Sequence, residues 1–128
     1  MRINELKPIL EKKNLDFAMF YTLDSAKANP NMVYFSGYSG IGALIIPKKQ
    51  SPFIIAPEME FEKAKQSKIN VFPMEKKKFF ESINSVVKKN KVRSKKIAID
   101  YNNFNLNTYK YFKKHFKNIK TKDISLEC

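Results

Sequence analysis

The sequence predicts an α/β domain: a mixed sheet of five or six strands flanked by helices. Three observations point there. Apolar strand-like runs alternate with helical stripes through the second half of the chain, which implies crossover units. Near the middle, two short apolar runs flank a proline-bounded turn, which demands an antiparallel pair. Finally, 128 residues, 43% of them hydrophobic, make one ordinary domain with enough apolar side chains for a core.

Each element follows in order. Ile3, Leu6, Ile9 and Leu10 recur at helical spacing and predict an amphipathic helix over residues 3–14. Pro8 interrupts it, unless the helix starts near Lys7. Phe17 to Thr22 is an apolar run suited to a buried strand, and Asp24 to Asn31, with Pro30, reads as loop. Met32 to Phe35 is apolar, and Ser36 to Gly42 then holds all three glycines of the chain. Such a cluster marks a tight turn, a close backbone approach or a binding loop.

Ala43–Ile46 and Phe53–Ala56 form the expected hairpin. Pro57 and Glu58 open a helix over about 58–67, and Ile69 to Phe72 is a short strand closed by Pro73. Phe79, Phe80, Ile83, Val86 and Val87 gather on one face of the clearest helix. Ile97 to Asp100 is a strand. Leu106, Tyr109, Phe112 and Phe116 trace a last helical stripe with Asn105 as its N-cap, and Ile119 to Ile124 adds a final strand. No repeat or low-complexity linker divides the chain.

Charge is lopsided. Lys and Arg number 25 against 12 Asp and Glu, for a net charge of +13. Such a field attracts polyanions. Only Arg2 and Arg93 are arginines, however, and specific phosphate or base readout leans on the planar guanidinium fork. The aromatics alternate with apolar residues inside strands and helix stripes, as core residues do, instead of marking a stacking face. A solvated, lysine-rich surface is therefore the preferred reading, and nucleic acid is not the expected partner. The single cysteine, Cys128, allows no intrachain disulfide and fits a reducing compartment. No apolar run approaches membrane-spanning length, and Met1 to Lys12 is not built like a signal peptide. A cytoplasmic domain without a membrane partner is expected.

Chemistry is sparse. His115, the only histidine, sits among lysines near a helix end, and Cys128 has no evident base. Zinc-ligand spacing is missing. Glu58 and Glu62 share a helical face with Glu60 nearby, but acidic residues in a first turn complement the helix dipole. Asp100 ends a strand, where a lone aspartate reads as a turn or cap residue; a carboxylate nuclease would need two further acids. Gly37-x-x-Gly40-x-Gly42 has neither the order nor the Gly-Lys-Ser/Thr ending of a phosphate loop. No catalytic residue, metal ligand or cofactor is expected in this chain.

Two stretches carry a family resemblance. Asn31-Met-Val-Tyr-Phe-Ser-Gly-Tyr38 resembles the Asn-x-x-Tyr-Leu-Thr-Gly-Phe segment of the creatinase, prolidase and aminopeptidase P family, there followed by a hairpin and a helix with an alanine, here Ala64. Ile97-Ala-Ile-Asp-Tyr101, Leu106-Asn-Thr-Tyr109 and Asp123-Ile-Ser125 resemble that family's later strand, helix and closing strand. The order covers nearly the whole chain, so residues 1–128 are read as one creatinase/prolidase N-terminal-like domain.

The resemblance implies a non-catalytic domain of a Xaa-Pro dipeptidase or aminopeptidase P-like metallopeptidase. It further implies a separate C-terminal catalytic domain, absent from this chain, that holds two divalent metal ions through Asp, His and Glu. The chain stops about where the family's linker would begin, so a longer protein is expected. The implied partners are that catalytic domain and a second subunit. The loop Tyr38, Ser39, Gly40 and Ile41 would lie at the rim of the substrate site, with the Tyr38 ring either packing on a prolyl group or merely against the hairpin. The alternative reading is a stand-alone basic module that binds nucleic acid or another polyanion.

Overall fold

The computed structural model describes residues 2–125, the side chain of Ser25 excepted. Met1 and Cys128, which entered the reading of the N-terminus and of thiol chemistry, lie outside the described residues. Six strands and five helices follow one another as α1 (Ile3–Lys12), β1 (Phe17–Thr22), α2 (Pro30–Ser36), β2 (Gly42–Pro47), β3 (Phe53–Ala56), α3 (Phe61–Lys65), β4 (Asn70–Pro73), α4 (Phe79–Lys89), β5 (Lys96–Ile99), α5 (Leu106–His115) and β6 (Lys120–Asp123). The strands make one mixed sheet in the order β4-β3-β2-β1-β5-β6. β2 is antiparallel to both β1 and β3, while the pairs β3·β4, β1·β5 and β5·β6 are parallel. Five strands therefore point one way and β2 the other.

Alternation along the strands sends side chains to two cores. Phe17, Met19 and Tyr21 of β1 face α4 and α5, where they join Phe80, Ile83, Phe112 and Phe116. Ala18 and Phe20 face the other side, with Leu6 and Leu10 of α1, Met32 of α2 and Ala64 of α3. The inner strands β1, β2 and β3 are buried along their whole length, as a sheet covered on both faces requires. Edge strands β4 and β6 remain largely exposed.

Three local expectations change. Pro8 stays inside α1, which begins at Ile3 with the Arg2 amide bonded to Glu5 at 3.0 Å. Losing one backbone donor is tolerated because Leu6 and Leu10, on either side of it, are fully buried. Asp24 to Asn31 is not simply loop. Ser25–Lys27 forms a 3₁₀ turn, and Asn29 caps α2, its Oδ1 accepting from the amides of Asn31 at 2.9 Å and Met32 at 3.2 Å, with Pro30 as first helical residue. The helix expected over 58–67 breaks into a 3₁₀ turn, Glu58–Glu60, and the short α3. Ala64 is the only residue of those two pieces that is buried, too thin a stripe to hold a longer helix. Asn105 does cap α5, accepting from Thr108 at 2.8 Å.

Candidate functional site

The site worth attention is the edge of the sheet where β1, β3, β4, β5 and β6 end. Ligands of open α/β sheets bind at such carboxyl ends, above all where successive connections leave to opposite faces. Here β1 leads to α2 on one face and neighbouring β5 leads to α5 on the other. Both the glycine loop and Asp100 lie on this edge.

The glycine loop is a closed hook. Gly37 ends α2 with φ 77°, a left-handed conformation that glycine adopts without cost, and its amide donates to Val33 at 2.7 Å. Ser36 Oγ donates to the Met32 carbonyl at 2.6 Å and accepts the Tyr38 amide at 3.0 Å. The Tyr38 side chain then folds back under its own loop, its hydroxyl donating to the Ile41 carbonyl at 2.6 Å with a Glu60 carboxylate oxygen 3.4 Å away. Burial, reinforced by the Glu60 charge, pushes that hydroxyl well above its ordinary pKa, so it stays a donor. A Cβ at Gly40 would run into both the Glu60 carboxylate and the Tyr38 hydroxyl, so this position needs glycine for close approach.

Tyr38 is only 2% exposed and belongs to the cluster containing Leu44 and Ile54 of the hairpin. Its ring faces the core and presents no open face to a ligand in this chain. Ser39 and Ile41 are half-buried at the outer side of the hook, while Gly40 is buried.

Asp100 forms a second constellation. It holds the turn position expected of it, its carbonyl accepting the Asn103 amide at 3.0 Å ahead of the 3₁₀ turn Tyr101–Asn103, although its side chain makes no cap hydrogen bond there. Fully buried, its Oδ2 instead accepts from the side-chain amides of Asn31 and Asn103, each at 2.7 Å. The physical reason is topology: β5 lies beside β1, so Asp100 reaches the helix α2 that β1 feeds. Burial pushes the Asp100 carboxyl above its ordinary value, against the pull of the Asn31 and Asn103 amides and, more weakly, of Asn29. Asn29 Nδ2 and Asp100 Oδ1 each stop short of a complete hydrogen bond. The backbone N–H of Asn29 donates to Thr22 Oγ1 at 3.0 Å, and the Tyr21 hydroxyl donates to the Asn103 carbonyl at 2.7 Å. The Tyr21 hydroxyl is pushed up to about 12, first by burial and then by the Asp100 charge. A cavity of about 280 Å³ opens beside this network, lined among others by Thr22, Asp24, Asn29 and Asn103.

Sequence reasoning quoted Asn31 without giving it a role, weighed Glu60 only as an acidic neighbour in a first turn, and missed Asn29 and Asn103. An Asn-Pro pair ahead of an apolar run was the available signal for Asn29. Nothing in the sequence signalled Asn103 or the contact of Glu60 with the hook, which act across the sheet or between loops.

The remaining candidates are not brought together. His115 packs edge-on against Tyr111, with ring centroids 5.2 Å apart, and shares a surface cavity with Lys88, Lys95 and Lys117. Glu58 and Glu62 lie in different short elements, the 3₁₀ turn and α3. Among the described residues no three His, Cys, Asp or Glu side chains gather as metal ligands, and no helix is long and apolar enough to cross a membrane.

The family model of the creatinase/prolidase N-terminal domain matches residues 2–127. The chain belongs to that family. An uncharacterized peptidase of Staphylococcus epidermidis is 34% identical over 71 residues, which are 52% of this chain and 18% of the relative. This creatinase/prolidase N-terminal domain thus spans less than a fifth of the curated relatives it matches. Among solved structures it is similar to the N-terminal domain of an X-Pro dipeptidase from Streptococcus pyogenes, with a TM-score of 0.74 at 15% identity over 98% of this chain and 94% of that one. It is also similar to an X-Pro aminopeptidase from Thermotoga maritima, with a TM-score of 0.78 at 21% identity over 99% of this chain and 35% of that one. At these identities the likeness shows the fold.

Proposed function

We propose that this chain is the non-catalytic N-terminal domain of a cytoplasmic Xaa-Pro dipeptidase or aminopeptidase P-like metallopeptidase. In this reading its carboxyl edge docks against a C-terminal catalytic domain and a second subunit. The observation that carries it is the uncovered apolar surface on that edge. Met59 is 91% exposed, Leu106 68% and Tyr101 40%, all in segments that follow the carboxyl ends of strands. Tyr101, Phe104, Leu106 and Tyr109 line an apolar groove of about 330 Å³. Exposed apolar groups gathered on one side suit a surface that another domain covers. The match of residues 2–127 to the family and the likeness to about a third of the Thermotoga maritima enzyme support the same reading.

The side chains described here do not fit a metal centre. The two divalent ions of this reading belong to the catalytic domain. What this chain would supply is the rim. Tyr38 closes the hook through the Ile41 carbonyl, and the half-buried Ser39 and Ile41 would limit the substrate.

The coding frame beyond Cys128 is the first test. It should continue into a domain rich in Asp, His and Glu ligands; an immediate stop codon would count against the proposal. In the two-domain protein, Met59→Glu with Leu106→Glu should lower kcat/KM on Xaa-Pro peptides at least tenfold, while the same changes leave the Tm of the 128-residue chain unaltered. Ser39→Trp should raise KM several-fold with kcat nearly kept. Unchanged kinetics in both variants would remove the carboxyl edge from the substrate site and from the interface.

A further inference from the structure

The net charge of +13 is not spread evenly. Five connections lie on the amino edge, opposite the glycine hook: residues 13–16, 48–52, 66–69, 90–95 and 116–119. The hairpin turn brings Lys48 and Lys49. The β5 approach brings Lys91, Arg93 and Lys95, and the other connections bring Lys13, Lys68 and Lys117. The single carboxylate in these five segments is Asp16. It is buried, its Oδ2 accepting from the amides of Lys95 at 2.8 Å and Lys96 at 2.9 Å, while its Oδ1 lies 3.9 Å from Arg93 Nε and offsets part of that one charge. The last turns of α4 and α5 add Lys88, Lys113 and Lys114, whereas Lys89 is ion-paired with Glu75.

Complementing helix dipoles explains lysines in last turns. It does not explain Lys48 and Lys49 in a hairpin turn, or Lys91, Arg93 and Lys95 beyond the end of α4. The carboxyl-edge connections carry Lys27 and Lys76 to Lys78 against Asp24, Glu58, Glu60, Glu75 and Asp100, so the asymmetry belongs to one edge.

We propose that the amino edge binds the phosphodiester backbone of nucleic acid, weakly and without sequence preference. Six strands at about 4.8 Å spacing span roughly 24 Å, the length over which one strand of a duplex presents about seven phosphates. Two open depressions lie along the edge, one of about 220 Å³ lined by Lys48, Lys49, Lys91 and Arg93 with the buried Asp16 among them, the other of about 470 Å³ lined by Lys88, Lys95 and Lys117. The absence of apolar anchors decides against the other polyanions. Protein interfaces rest on buried apolar or aromatic hot spots, and membrane-surface binding on inserted apolar side chains. Among the described residues the exposed large hydrophobics are Leu23, Tyr34, Met59, Tyr101 and Leu106, none of them in the amino-edge connections. Phosphate contacts need only cations, and lysine suffices where nothing is read.

The test is fluorescence anisotropy of the whole chain with a 20-base-pair DNA duplex and a 20-nucleotide RNA, at 50 and 200 mM salt. Four to six phosphate contacts predict that affinity falls about 10²–10³-fold between those salts. Lys49→Glu, Lys95→Glu and Lys117→Glu together should weaken binding at least tenfold and lower the salt slope by about 3. Lys76→Glu, Lys77→Glu and Lys78→Glu make the same change of net charge on the other edge and should weaken it less than threefold. Equal losses in both triple variants would mean that total charge alone binds and would overturn the site. So would no binding at 50 mM salt, or tighter binding of polyglutamate or phosphatidylserine vesicles than of either nucleic acid. Comparable melting temperatures of the two variants guard against unfolding as the cause.

Discussion

The two edges of this sheet use polar groups in opposite ways. On the carboxyl edge charges of both signs mix, and the groups that hold the structure are buried and individually positioned: Asp100 ties β5 to α2 through Asn31, and the Tyr38 hydroxyl closes a hook against Ile41. On the amino edge they are many and charged, and most reach solvent. A buried polar group left without its partner costs about 1–3 kcal/mol, whereas a surface charge changes stability by roughly 0.5 kcal/mol or less. Single substitutions should therefore disrupt the first edge, and only collective changes should alter the second.

Asp100→Ala is the largest expected effect. It strands the Asn31 and Asn103 amides and should cost about 2–3 kcal/mol, lowering the Tm by about 10 °C in thermal unfolding followed by circular dichroism. A loss below about 0.5 kcal/mol would show that the tie between β5 and α2 holds nothing, and the contrast between edges would collapse. Gly40→Ala comes next, at about 2 kcal/mol, because its new methyl meets the Tyr38 hydroxyl and Glu60. Tyr38→Phe removes one of the obstructing groups, so the double variant should lose less than the sum of the two single losses. Strict additivity would mean that the hook does not close as described.

Protonation sharpens the comparison further. The folded pKa of Asp100 is raised, so the folded chain holds this proton more tightly than the unfolded chain does. The stabilising contribution is complete below the ordinary aspartate pKa and is lost as pH rises through the raised value. The Tm of the wild type relative to Asp100→Asn should therefore climb as pH is lowered through that window. A constant difference between the two would mean that Asp100 ionises in the folded chain as freely as in water. The smallest effect belongs to the amino edge. Lys49→Glu, Lys95→Glu and Lys117→Glu together should leave stability within about 0.5 kcal/mol, since each of the three is exposed. A large loss would show that these lysines are structural and would remove the distinction between the edges.

Legibility followed the range of the interaction. The hairpin, the stripe of α4 and the Asn105 cap are local, written within a dozen residues, and the sequence reading located each of them. α2 went unassigned because Met32 to Phe35 is apolar without a helical period; its existence rests on the Asn29 cap, the Gly37 stop and the burial of Met32. Asp100 was legible as the turn residue it is, but not its tie to Asn31, which is 69 positions away and is brought near only by strand order. Tyr38 was read as a binding ring or a packing ring from one motif, and the fold buries it.

By itself, then, the sequence determined the α/β class, the order of the elements other than α2, and the family, because periodicity, turn chemistry and motif order are carried by neighbours along the chain. It also determined the total charge. Where that charge sits was decided only by the tertiary structure. Parallel crossovers return the end of every second element to the same side of the sheet, so lysines scattered from Lys13 to Lys117 converge on one edge. The same crossovers carried Asp100 to Asn31 and left the glycine hook and the exposed Met59 and Leu106 on the opposite side.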